Sequence, residues 1–267
     1  MTVLGVSAVT EDVSETPDER MRRIITSPIE RKLPRKFYKS VEVSEQNSIL
    51  LDGRAVKTPM KNTLALPNRA LAEAVAAEWV AQVRVIDSEL MPITKLANTA
   101  LDRATAEREH VLGEIVAYAG SDLVCYWADR PPELVQLQRK HWQPVLVWAN
   151  VTLPAQFRHA SSITHIAQDD ASLAAVRKRA ETLDNWQLTG VYILMTLMGS
   201  SLLALKLQAG GDADAAWAAA HVDEDYQTSQ WGEDSEAILR RTGRRREFDG
   251  LVQFFELLRG TADAGNP

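Results

Sequence analysis

Residues 49–57 read Ile49-Leu50-Leu51-Asp52-Gly53-Arg54-Ala55-Val56-Lys57. Asp52-Gly53 accepts the left-handed backbone of a two-residue turn, and it lies between an apolar run and a second short extended segment. A hairpin is predicted here, with Asp52 and Gly53 as structural residues. Upstream, Phe37-Tyr38-Lys39-Ser40-Val41-Glu42-Val43 alternates near a period of two. Downstream, Leu64-Ala65-Leu66 and Val83 to Ile86 offer two further strands. A hairpin alone leaves its apolar face in water, so a helix has to cover it. Pro67-Asn68 opens one: Asn68 is the expected N-cap, and Leu71, Val75, Ala76, Trp79 and Val80 form its apolar side. Trp79 is therefore expected to be a structural residue.

Beyond Pro92 the period changes to that of helices. Leu96, Thr99, Ala100 and Arg103 recur at helical spacing, and Val111, Leu112, Ile115, Val116 and Ala119 form another stripe. Pro131-Pro132 starts a helix that Pro144 should end, kink or restart. Thr152 to Pro154 and Ser162 to Ile166 read as short extended pieces. Asp184, with Gln187 three residues on, has capping-box spacing and opens a buried helix to Leu207. Its apolar stretch, Leu188 to Leu205, is uncharged, but Thr189, Gly190, Thr196 and Gly199-Ser200-Ser201 temper it, so a helix ringed by other helices is expected and not a membrane span. The fold class is α+β, a small sheet-plus-helix N-terminal domain over 35–90 and a helical bundle over 91–260. Residues 1–34 read as an acidic, partly ordered leader and 261–267 as a flexible tail.

The chain has 267 residues, 45% of them hydrophobic, and 30 Lys and Arg against 36 Asp and Glu for a net charge of −6. That composition excludes a disordered chain, and the charge has the wrong sign for a surface that grips nucleic acid. The basic run Arg31 to Lys39 contains Phe37 and Tyr38, but adjacent strand residues face opposite ways and make no two-ring stacking platform. No glycine-rich phosphate loop is present, so no nucleotide and no other cofactor is expected. The single cysteine, Cys125, lies among apolar neighbours and reads as a core thiol in a reducing compartment. The N-terminus fits neither a secretory signal nor a mitochondrial presequence, which points to the cytoplasm.

The densest polar stretch lies near the C-terminus. From Asp212 to Glu236 there are eight acids (Asp212, Asp214, Asp223, Glu224, Asp225, Glu233, Asp234 and Glu236) and no Lys or Arg. His221 and Glu224 are three apart, a possible start of a metal site, yet no His-Glu-x-x-His frame accompanies them. A carboxylate-based or metal-dependent hydrolase centred on Asp223 to Glu236 is the alternative function. A protein-docking surface is the stronger one, because acids beside Tyr226, Gln227 and Trp231 combine steering charge with an aromatic anchor. The candidate protein-binding residues are Asp223, Glu224, Asp225, Tyr226, Gln227, Trp231 and Glu233. The crowded acids 223–225 are expected to repel one another until a basic client arrives.

A set of short motifs in fixed order resembles one family. They are Arg35-Lys36-Phe37-Tyr38, Leu51-Asp52-Gly53-Arg54, Lys57-Thr58-Pro59, Leu66-Pro67, Ala77-Glu78-Trp79 with Gln82, and Met91 to Thr99. Asp122 to Tyr126, Pro131, Leu134-Val135, Gln138, Trp142 with Pro144, Gly199-Ser200, and finally Glu224, Tyr226-Gln227 and Trp231-Gly232 continue it. Together they resemble the assembly chaperones that bind the alpha subunit of F-type ATP synthase, over about residues 35 to 255. The resemblance implies a non-enzymatic protein that shields the beta-facing surface of free alpha and releases it into the hexamer. It also implies that the family's functionally important glutamate is Glu224 or Glu233.

Overall fold

The computed structural model describes residues 33–103, 107–161, 165–232 and 235–260. The leader up to residue 32, the tail from 261, and Glu233 with Asp234 lie outside the described residues, as do 162–164.

The sheet has three antiparallel strands in sequence order: β1 (Val41–Val43), β2 (Ile49–Leu51) and β3 (Arg54–Ala55). Val41 pairs with Leu51 and Leu51 with Arg54. Asp52 and Gly53 both take positive φ, 48° and 75°, as the turn between β2 and β3 requires. The Asp52 carboxylate also accepts from the Lys39 and Ser40 amides at 2.9 and 2.8 Å, which ties the start of β1 to the turn. Leu64 to Leu66 and Val83 to Ile86 contribute only single bridges, Ala65 to Ser48 and Val85 to Arg35. The buried Leu64 and Leu66 pack into the core without extending the ladder.

Helix α1 (Arg69–Val80) is capped by Asn68, whose side chain accepts from the Leu71 amide, and buries Leu71, Ala72 and Val75 toward the sheet. Two carboxylates fasten this layer to the helices. Glu78 accepts from the Ile93 and Thr94 amides, each at 2.8 Å, and from the Thr94 hydroxyl, so a side chain of α1 caps α2 (Pro92–Arg103). In the last turn of α2, Asp102 accepts from the Thr58 hydroxyl, the Met60 amide and the Asn62 side chain.

The helices continue with α3 (Arg108–Gly120), α4 (Pro132–Thr152), α5 (Asp170–Glu181), α6 (Asn185–Met198), α7 (Ser201–Gln208), α8 (Ala213–Ala220), α9 (Val222–Trp231) and α10 (Ser235–Arg259). Pro144 neither ends nor restarts α4. Trp142 and Val145 beside it are buried, and their packing outweighs the one missing amide bond. The buried helix expected from Asp184 to Leu207 is two helices. Its start has the capping box of Asp184 and Gln187, but Gly199 takes φ +69° and closes α6, and Ser200 caps α7 through the Leu203 amide. Among the described residues no helix is long and apolar enough to cross a membrane. The extended piece expected at 152–154 forms no strand, and of the one expected at 162–166 only 165 and 166 are described, neither of them in a strand. Ala160 makes a lone parallel bridge to Tyr126.

One apolar cluster runs without interruption from Ile49 beneath the sheet to Phe255 in α10. Trp142, Phe248, Phe254 and Phe255 are its largest fully buried side chains, each stabilising by about 2–3 kcal/mol relative to exposure. This core holds α10 across α2, α6 and α1 and so fixes the face it offers to α9.

Candidate functional site

The acidic stretch folds as α9, and α10 returns alongside it. Gly232, at φ +83°, follows the last residue of α9, a backbone position that a side chain would strain. Val222 is buried at the start of α9, while Glu224, Asp225, Gln227 and Trp231 are exposed. Arg241, Arg244 and Arg245 are three and four apart on α10, hence on one side of it. The Arg241 and Arg245 guanidiniums lie over the Trp217 ring of α8 at 6.0 and 5.3 Å.

The three crowded acids are each met from within the chain, contrary to the expectation that a client must relieve them. Asp223 accepts from the Gln138 side chain of α4 at 2.7 Å. Glu224 lies 3.5 Å from Arg244, and Asp225 pairs with Arg241 at 2.5 Å. Arg244 also donates to the Leu197 carbonyl at 2.6 Å, satisfying an otherwise open end of α6. The repulsion is relieved because α9 and α10 bring opposite charges together. Arg240 pairs with Glu236 one turn earlier, as the sequence spacing indicates.

Between α9 and the first turns of α10 runs a groove of about 590 Å³, lined by His221, Glu224, Gln227, Trp231, Arg240 and Arg244 among others. The structure thus brings Glu224, Gln227 and Trp231 together on one surface. Asp223 faces α4, Asp225 faces Arg241, and half-buried Tyr226 stands outside the groove. Glu233 lies outside the described residues. Trp231 is 80% exposed, among the charged side chains that line the groove.

His221 is buried against Trp217, with ring centroids 3.9 Å apart, and its Nδ1–H donates to the Trp217 carbonyl at 2.8 Å. Burial pushes its pKa below the ordinary imidazole value, the Trp217 bond working against that shift. No group of three or more His, Cys, Asp or Glu side chains is arranged for a metal ion among the described residues. Cys125 is fully buried, and burial with the neighbouring Asp122 charge drives its thiol far above the ordinary range. Trp79 is half-buried, with its ring edge-on to Tyr38 at 5.6 Å, and its backbone carbonyl accepts from the Tyr38 hydroxyl.

Arg241 and Arg244 are the site residues that local pattern did not single out, and Gln138, quoted above for the resemblance, carried no expected role at this site. The pairing of these arginines with Asp225 and Glu224 crosses from helix to helix.

The profile described as ATP12 chaperone protein matches residues 35–150. The solved structure of Atp12 from Paracoccus denitrificans is 36% identical, with 84% of this chain and 98% of that one covered at a TM-score of 0.77. A point mutant of the same Paracoccus protein matches equally, with 97% of its chain covered. The Atu1473 protein of Agrobacterium tumefaciens is also 36% identical, covering 91% of this chain and 92% of its own at a TM-score of 0.79. Identity of this degree over nearly the full length of solved Atp12 means that the chain belongs to the ATP12 chaperone family.

Proposed function

We infer that this protein is an assembly chaperone that holds the free alpha subunit of F-type ATP synthase, shields its beta-facing surface and releases it into the alpha/beta hexamer. The observation that carries this reading is the 36% identity across 98% of the Paracoccus Atp12 chain. An unassembled subunit exposes surface meant for its neighbour, and such surface aggregates. A holder must cover it and still yield to the permanent partner. A groove with one exposed tryptophan, a loosely paired glutamate and a polar rim suits that need, because interface affinity is set by a few anchors and not by area.

The client-contact residues within this reading are Glu224, Gln227 and Trp231, with Asp223, Asp225, Tyr226 and Glu233 as neighbours in sequence. The hydrolase alternative is not supported: the three acids at 223–225 are spent on Gln138, Arg244 and Arg241. Co-expression with the alpha subunit is the test. A soluble complex by size exclusion is expected, and alpha that aggregates regardless of the chaperone overturns the reading.

A further inference from the structure

A second surface lies where residues 34–38 meet residues 83–86. Residues 34–36 pair with 84–86 through the Lys36 amide to the Arg84 carbonyl and the Ile86 amide to the Pro34 carbonyl. Beside this pairing lies a shallow basin of about 720 Å³, lined by Arg35, Lys36, Tyr38, Val83, Arg84 and Val85. Val83 is 82% exposed, and the neighbouring Phe37 and Val80 are 73% and 61% exposed. Lys36 is engaged with the Gln82 carbonyl and the Tyr38 ring. Arg35 and Arg84 make no ion pair among the described residues. The surface is therefore apolar in its floor, positive at its rim, and without a partner of either kind among the described residues.

The chain supplies a matching occupant. From Met1 to Glu19 there is no Lys or Arg, while Glu11, Asp12, Glu15, Asp18 and Glu19 are acidic and Val3, Leu4, Val6, Val9 and Val13 are apolar. This segment joins the described structure at Leu33, next to Pro34 and hence at the margin of the basin itself. An unstructured chain of 14 residues, the length of 20–33, has a root-mean-square reach of about 20 Å, enough to fold back over the surface. A tether of that length gives an effective concentration on the order of 1 mM, so even a weak intrinsic affinity keeps the surface covered.

We propose that residues 3–19 dock on the basin lined by Arg35, Val83, Arg84 and Val85, placing their valines on its apolar floor and their carboxylates against its arginines. The segment then covers apolar surface that would otherwise promote self-association of the chaperone. The inference is independent of the client and stands or falls without it.

Val83→Cys and, separately, Phe37→Cys in the full chain provide the test, since both sites are exposed and buried Cys125 is silent toward an alkylating reagent. Reaction with iodoacetamide, a neutral reagent, is timed at low and high salt. A second version of each variant carries Gln or Asn at all five leader acids. Docking predicts alkylation at least 5-fold slower with the native leader at low salt, restored by 0.5 M salt and by the neutralised leader. Equal rates with both leaders at both sites overturn the proposal. So does protection that survives neutralisation and grows with protein concentration, which assigns the surface to a second copy of the chain. As an independent check, Val83→Cys combined with Val9→Cys should form an intramolecular disulfide under mild oxidation in the native-leader protein.

Discussion

The Asp122 carboxylate accepts from the Leu202 amide at 3.0 Å, a fully buried bond between residues 80 positions apart. It joins the short 3₁₀ turn Leu123–Cys125 to the first turn of α7, with the Ser200 hydroxyl and the Val124 and Ser201 amides on the same carboxyl. Burial raises its pKa to about 6, the hydrogen bonds opposing that rise. In the unfolded chain the value is about 3.9. The folded state therefore prefers the protonated acid: this contribution is fully present below about pH 4 and is lost as pH rises through about 6, by roughly 3 kcal/mol in all. The difference in unfolding free energy between the native protein and Asp122→Asn should shrink by an amount of that order from pH 4 to pH 7. Urea titrations at several pH values check it, and a pH-independent difference would deny the carboxyl its raised pKa. At pH 7, Asp122→Ala should cost about 1–3 kcal/mol, since it leaves the Leu202 amide buried without an acceptor.

Trp79 offers a prediction that the sequence stripe alone would overstate. A fully buried tryptophan cut to alanine costs about 3–5 kcal/mol. Trp79 is only half-buried, and its Nε1 has no hydrogen-bond partner among the described residues. Trp79→Ala should therefore cost less, about 2 kcal/mol, through lost contact with Tyr38. Trp79→Phe should be close to neutral because it keeps a ring on Tyr38 and removes the unsatisfied donor. Thermal unfolding of the two variants distinguishes these outcomes from a fully buried role.

Local chemistry made much of this fold legible. Asn68 caps α1 and Asp184 with Gln187 caps α6 because a cap involves residues two or three apart, and Asp52-Gly53 forms its turn for the same reason. The break at Gly199-Ser200 was also written locally, but in a run so apolar that burial suggested one unbroken helix. What stayed hidden is tertiary. Glu78 capping α2, Asp102 clasping the loop at 58–62, and Arg241 and Arg244 reaching back to Asp225 and Glu224 all depend on helix placement. No periodicity encodes which of several arginines meets which acid. The acidic stretch was thus recognisable by composition, while its internal neutralisation was not.

A substitution at Glu224 tests folding and client capture separately. Its contact with Arg244 is long at 3.5 Å and open to solvent, so Glu224→Gln should change stability by less than about 1 kcal/mol. If Glu224 meets the alpha subunit, the same change should weaken capture by about 1–3 kcal/mol. Arg244→Ala is the contrasting variant, because it also deprives the Leu197 carbonyl of its donor and should lower stability by about 1 kcal/mol. Paired melts and titrations against alpha read both quantities. Unchanged affinity in Glu224→Gln removes this residue from the interface and leaves Gln227 and Trp231 to be tested in turn.

Gly250 and Gly113 are both interior helix glycines, and the structure predicts opposite consequences for giving each a methyl group. At Gly250 an added Cβ would sit 2.6 Å from the Pro92 Cβ and 2.9 Å from its Cγ, a clash between α10 and the first turn of α2 that a rigid proline ring cannot absorb. Gly250→Ala should destabilise by about 1–3 kcal/mol, the usual cost of forcing an extra carbon into a packed contact. At Gly113 nothing lies within 4 Å of the added atom, so alanine brings only its better helix propensity. Gly113→Ala should stabilise by about 0.5–1 kcal/mol. Melting midpoints should move in opposite directions, by about 2–4 °C per kcal/mol for a chain of this size. Because Pro92 also opens the helix that Glu78 caps, displacement of α10 by Gly250→Ala would be felt at the seam between the sheet layer and the helices. A Gly250→Ala protein that melts like the native one would mean that α10 can withdraw from Pro92 without cost, and the close packing of that seam would not be needed for stability.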